Sequence, residues 1–224
     1  MPGGLRDTGK PSALIPTFVA HSHMPAGTAY ERFIFDQGLC PVREGLHDFF
    51  NGICWLHFPR IKSWLNQTQA TQLANQFATQ SGSGAAGAQR GPVRDALTVF
   101  DENGAMLVAP DALWQALAAK DWQRAFGALR PLWAQSRVTL VGHALLEKLV
   151  EPRKALTAHM IRAYPAINVV ASLDEFLADD LHVRGIRAEP FAHLPVLGVP
   201  GWWEPNAHVA FYDDASVFRA RRLA

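Results

Sequence analysis

Pro59 divides two stretches of apolar residues that both keep helical spacing, and this pairing constrains the fold more than any other feature of the chain. Before it, Leu46, Phe49, Phe50, Ile53 and Cys54 fall at i, i+3, i+4, i+7 and i+8, the stripe of an amphipathic helix. A proline cannot continue that helix, but its fixed φ suits the first turn of the next one. After it, Ile61, Trp64, Leu65 and Thr68 share a face that Ala70, Leu73, Ala74 and Phe77 extend. The spacing predicts two consecutive helices that end at "SGSGAAGAQRG", residues 81–91, a flexible loop by composition. Residues 1–28, with Pro2, Pro11, Pro16 and Pro25, read as an extended arm.

Beyond residue 91 the pattern changes. "DALTVFDENGAMLV", residues 95–108, reads as a β-hairpin with Asn103-Gly104 at its turn. "PDALWQALAAKDWQRAFGAL" is helical, with Asp111 at its N-terminal end. A strand over Val138–Val141 runs into a helix from His143 to Val150 that Pro152 stops. "ALTAHMIRAY" suits either strand or helix, and "SLDEFLADDL" is a helix by the capping-box spacing of Ser172 and Glu175. The last forty residues are turn-rich and aromatic. The sum is an α+β fold: a helical N-terminal part packed with a small mixed sheet and C-terminal helices. At 224 residues and 49% hydrophobic content, one domain over 1–224 is expected.

Charge and cysteine usage narrow the classes. A net charge of +1 excludes a dedicated nucleic-acid binder, which carries a basic face. Two cysteines, Cys40 and Cys54, are no disulfide framework. "ALIPTFVA" is interrupted by Pro16 and lacks a basic flank, so it is neither a signal peptide nor a membrane span. A soluble, cytoplasmic protein without membrane attachment is the expectation.

"GSGAAG", residues 82–87, matches G-x-G-x-x-G literally, but no strand precedes it and no helix follows, so it is a loop rather than a dinucleotide site. P-loop, H-E-x-x-H, G-x-S-x-G and paired C-x-x-C patterns are absent from the sequence. What remains is spacing. His47 and Asn51 lie at i, i+4 and share one helix face. His143 and Glu147 repeat that geometry at a strand-to-helix junction, where the helix N-terminus favours a neutral ring able to bind metal or accept a proton. Asp95 and Asp214 are further candidate carboxylates, whereas Asp101 and Glu102 read as turn residues and His57 as a core histidine.

Three groups of segments carry a resemblance: "HDFFNGICWLHFPRIKSWLN"; "RDALTVFDENGA" with "GHALLEKLVEPRKALTAH"; and "LPVLGVPGWWEPN" with "AFYDDASVFR". Together they resemble the bacterial family known as domain of unknown function 3025, over most of residues 30–222. The resemblance implies a bacterial origin and no particular activity. The glycine-rich loop and Ala207-His208 depart from the family's pattern.

Two functions fit. One is a hydrolase whose His47, Asn51, His143 and Glu147 share a cleft with Asp95 or Asp214. There, His47, His143 and Glu147 would hold zinc or manganese that activates water. The other is a non-catalytic module that recognises a protein or small molecule with the Trp202-Trp203 tip and the aromatic C-terminal segment.

Overall fold

In the computed structural model, residues 14–80, 91–163, 170–186 and 191–220 are described. They group into two compact units that divide between residues 88 and 89. The glycine-rich stretch and the first thirteen residues of the expected arm lie outside the described residues.

In the first unit, the part of the expected arm that is described is not simply extended chain. Strand β1 (Thr17–Ala20) runs parallel to β2 (Leu39–Val42), with Phe18 opposite Cys40. Between them, α1 (Tyr30–Gln37) ends at Gly38, whose φ of 64° is the left-handed conformation that closes a helix. The two expected helices follow as α2 (Leu46–His57) and α3 (Pro59–Gln80), and Pro59 opens the second. Ile61 and Leu65 are buried, as their spacing requires.

Helix α2 presents a different face from the expected stripe. Leu46, Phe49 and Leu56 are exposed, whereas Asp48, Asn51, Cys54 and Trp55 are buried. The Asp48 carboxylate and the Asn51 amide nitrogen find partners there. Asp48 accepts hydrogen bonds from the Arg43 backbone N–H at 2.6 Å and from its Nε at 3.2 Å. Asn51 Nδ2 donates to the Tyr30 hydroxyl at 3.2 Å, which shares a hydrogen bond with Cys40 Sγ at 3.3 Å. His57 is no core histidine: it is exposed, and its Nδ1 donates to the Ile53 carbonyl at 3.0 Å.

The second unit is built on a mixed four-stranded sheet in the order β4-β3-β5-β6. The expected hairpin over 95–108 does not form. Residues Pro92–Asn103 are helix α4, and strand β3 (Gly104–Val108) starts directly after it. Pro92 at the first turn, Asp95 beside it and the buried trio Ala96, Leu97 and Phe100 favour a helix. That inward face outweighs the β propensity of Thr98, Val99 and Phe100. Asn103-Gly104 is thus a helix-to-strand junction.

Strand β3 pairs antiparallel with β4 (Arg137–Leu140) and parallel with β5 (Thr157–Ala163). The segment that suited either strand or helix is therefore a strand, and the antiparallel edge strand β6 (Ala192–Pro195) completes the sheet. Helix α5 (Asp111–Ala118) starts at Asp111 as expected but is shorter than its pattern, because Lys120 takes a φ of 57°. Helix α6 (His143–Lys148) follows β4, and α7 (Val170–Arg184) begins before Ser172. One apolar cluster holds this unit together; Leu107, Leu113, Leu117, Leu145, Met160 and Leu194 within it are fully buried. The ring of Phe126 stacks on Trp133 at 5.4 Å and on Tyr212 at 4.6 Å.

Candidate functional site

Two features bring the C-terminal end of α4 to the N-terminal end of α6. Val141 and Gly142 both donate backbone N–H groups to the Gly104 carbonyl, at 3.0 and 2.9 Å. A Cβ on Gly142 would stand 2.5 Å from the Glu102 carbonyl oxygen and 2.5 Å from the Gly104 nitrogen, so only glycine admits this approach. His143, the first residue of α6, is thereby set against Asp101 and Glu102 in the last turn of α4.

His143 is buried, and its Nδ1 donates to the Asp101 backbone carbonyl at 2.8 Å. A carbonyl can only accept, so this bond places a proton on Nδ1, and in the neutral ring it is Nε2 that carries the lone pair. Nε2 faces the Glu102 carboxylate at 3.7 Å, and the Asp101 carboxylate lies 3.8 Å from Nδ1. A separation of 3.7 Å is too long for a hydrogen bond. It is close to the ~3.4 Å between two donors that share one tetrahedral ion at ~2.1 Å from each. Both acids also oppose the partial negative charge of their helix's C-terminus, so a cation there is favoured.

The sequence-derived candidates are distributed as follows. His143 and Glu147 lie on α6, with Glu147 partly buried one turn after the histidine. Asp95 is at the opposite end of α4, seven residues and ~10 Å of helix rise before Glu102. Asp214 is engaged in a turn: its carboxylate accepts from Ser216 N–H and Oγ at 3.0 and 2.5 Å and pairs with Lys154 at 3.0 Å. The Ser216 hydrogen bonds, then Lys154, pull its pKa down to about 2. His47 and Asn51 belong to α2 of the first unit, where Asn51 is tied to Tyr30. The Trp202-Trp203 tip is split, with Trp202 exposed and Trp203 packed against the apolar cluster.

A second cluster lies on the sheet itself. His159 of β5 and His193 of β6 are paired directly across the two strands, their ring centroids 4.9 Å apart. Both are partly buried over a cavity of about 350 Å³ that Lys120, Trp122 and Arg219 also line. Burial, then the neighbouring His193 and Lys148, lower the His159 pKa to about 4. Burial and Lys120 lower that of His193.

The family model described as "Protein of unknown function (DUF3025)" matches residues 16–222. The chain belongs to that family. No curated protein and no solved structure matches it. Among the described residues of this DUF3025 chain, no helix is long and apolar enough to cross a membrane.

Sequence reasoning passed over Asp101 and Glu102, because a presumed hairpin turn accounts for acids without any function. The helical spacing of Ala96, Leu97 and Phe100 would have placed them at a helix end. It also passed over His159, His193 and Lys120. The recurring Ala-His-apolar pattern, "AHM" at 158–160 and "AHL" at 192–194, was the available signal.

Proposed function

We propose that this protein is a metal-assisted hydrolase whose divalent ion is held by Nε2 of His143 and the carboxylate of Glu102. The observation that carries this reading is the 3.7 Å spacing between Nε2 and the Glu102 oxygen, combined with the hydrogen bond that fixes the tautomer. A ligating imidazole commonly donates its other N–H to a backbone carbonyl, which orients the ring and raises its basicity. A mixed nitrogen and oxygen set suits zinc or manganese.

The chemistry follows from the ion. When bound, such an ion would make a water it holds more acidic towards a nearby carboxylate, and so supply a nucleophile for an electrophilic carbon or phosphorus. The leaving group departs with a proton returned by that carboxylic acid. Glu147 suits the acceptor role by its i, i+4 relation to His143.

Elemental analysis of the purified protein before and after mild chelation tests the reading. The expected result is near one equivalent of zinc, manganese or iron, lost in Glu102→Gln while the circular dichroism spectrum is unchanged. A protein that carries no such metal and takes none up from added zinc or manganese would overturn it.

A further inference from the structure

The geometry points to a second, independent site: the cavity beneath His159 and His193 takes a small organic oxyanion, a carboxylate or phosphate ester that carries a flat apolar part. It shares no residue with the His143 site, so neither reading depends on the other. The cavity, at about 350 Å³, falls in the ~300–1,000 Å³ range of small-molecule sites.

Its lining is biased in charge. Lys120 and Arg219 contribute cations, and no Asp or Glu is among the lining residues. Lys120 has no carboxylate partner among the described residues. It is also the one non-glycine residue among them with positive φ, at 57°. That conformation favours glycine or asparagine, so a lysine here keeps an ammonium at the cavity against backbone preference.

The hydrogen-bonding supply fits an oxyanion as well. His159 Nδ1 is buried without a partner among the described residues. Such an atom is costly unless something else binds it, and a neutral ring protonated there donates to an anionic oxygen. Burial keeps both rings neutral at pH 7, so they offer donors without a fixed charge that would hold counter-ions. Trp122 supplies the flat apolar wall, and its Nε1 donates to the Arg219 carbonyl at 2.7 Å, which anchors the Arg219 backbone beside the cavity.

The test is nuclear magnetic resonance of the histidine rings in the full chain at pH 7 and constant ionic strength. Sodium benzoate and inorganic phosphate are titrated separately, with sodium chloride as control. Saturable shifts of His159 and His193 with at least one probe, millimolar or tighter, are expected. A response to benzoate alone assigns a flat carboxylate, and a response to phosphate alone assigns a phosphate ester. Lys120→Gly, which suits the backbone and so keeps the fold, should weaken binding about tenfold, and Lys120→Arg should restore most of it. Linear shifts that match those from chloride, or saturable shifts that Lys120→Gly leaves unchanged, would overturn the proposal.

Discussion

His159 and His193 stand directly opposite each other on antiparallel neighbours β5 and β6, with ring centroids 4.9 Å apart. A cross-strand pair of this kind cannot be charged on both sides without like-charge repulsion at short range. Partial burial and the nearby Lys120 and Lys148 push in the same direction. The sheet therefore carries two neutral imidazoles at a place where most surfaces would carry solvated ones.

Stability should fall in acid because of that arrangement. The folded His159 pKa of about 4 is below the ~6.5 of an unfolded chain, so between these values the unfolded state binds more protons. The stability linked to this ring is fully present above pH ~6.5 and is lost as pH drops toward about 4. With solvent screening of a partly exposed ring taken into account, the loss is about 2 kcal/mol. Urea unfolding at pH 7.5, 5.5 and 4 should show that decline in the wild type and much less of it in His159→Phe. Parallel declines in both proteins would rule out His159 as the cause.

At the His143 site, the backbone and side chain of Asp101 have separable effects. The tautomer-fixing bond uses the Asp101 carbonyl, which any residue supplies. Asp101→Asn should therefore keep the bound metal to within a few-fold, whereas Glu102→Gln should lose it. Equal loss in both variants would mean that the Asp101 carboxylate, 3.8 Å from Nδ1, is itself essential.

How much of this could be read from the sequence depends on where the information resides. The α2–Pro59–α3 pair, the start of α5 and the β4-to-α6 junction follow from local spacing and proline chemistry, and all appear in the structure. The hairpin expectation failed because Asn-Gly between β-prone residues is a strong local signal, whereas the inward face of Ala96, Leu97 and Phe100 is satisfied only by tertiary packing. The same error hid Glu102. His143 was found because a strand-to-helix junction is local, but its partners lie 41 and 42 positions earlier, a distance that spacing rules do not span.

Gly142→Ala should be strongly destabilising although the φ of Gly142, −70°, suits alanine. The obstacle is space: the added methyl carbon would sit 2.5 Å from both the Glu102 oxygen and the Gly104 nitrogen, and 2.6 Å from Asn103 Cα. All three are backbone atoms, so α4 and α6 must separate. A cost of about 3 kcal/mol is expected in urea unfolding, with metal content reduced alongside. A change under ~0.5 kcal/mol would show that this junction is looser than described.

Phe126 is the aromatic residue on which the second unit most depends. Its ring contacts Trp122, Trp133, Tyr212 and Phe218, all within 6.2 Å between centroids, and it is buried. Phe126→Ala removes that apolar volume and the ring contacts together, so a loss of about 4 kcal/mol is expected. Near-ultraviolet circular dichroism should weaken at the same time, because two indoles lose their stacked neighbour. Retained aromatic dichroism with an unchanged unfolding midpoint would contradict this packing.

Lys120→Gly should raise stability while it impairs oxyanion binding. Lysine in the left-handed region pays ~1–2 kcal/mol that glycine does not, and glycine's extra freedom in the unfolded chain returns ~0.5–1 kcal/mol of that gain. The net expectation is about 0.5–1 kcal/mol in favour of the variant, seen as a higher urea midpoint at unchanged slope. A strained residue that improves the fold when replaced, yet lowers affinity at the cavity it lines, is one retained for binding rather than for stability. If the variant is instead less stable, the Lys120 side chain contributes packing that outweighs its backbone strain, and the φ of 57° no longer argues for a binding role.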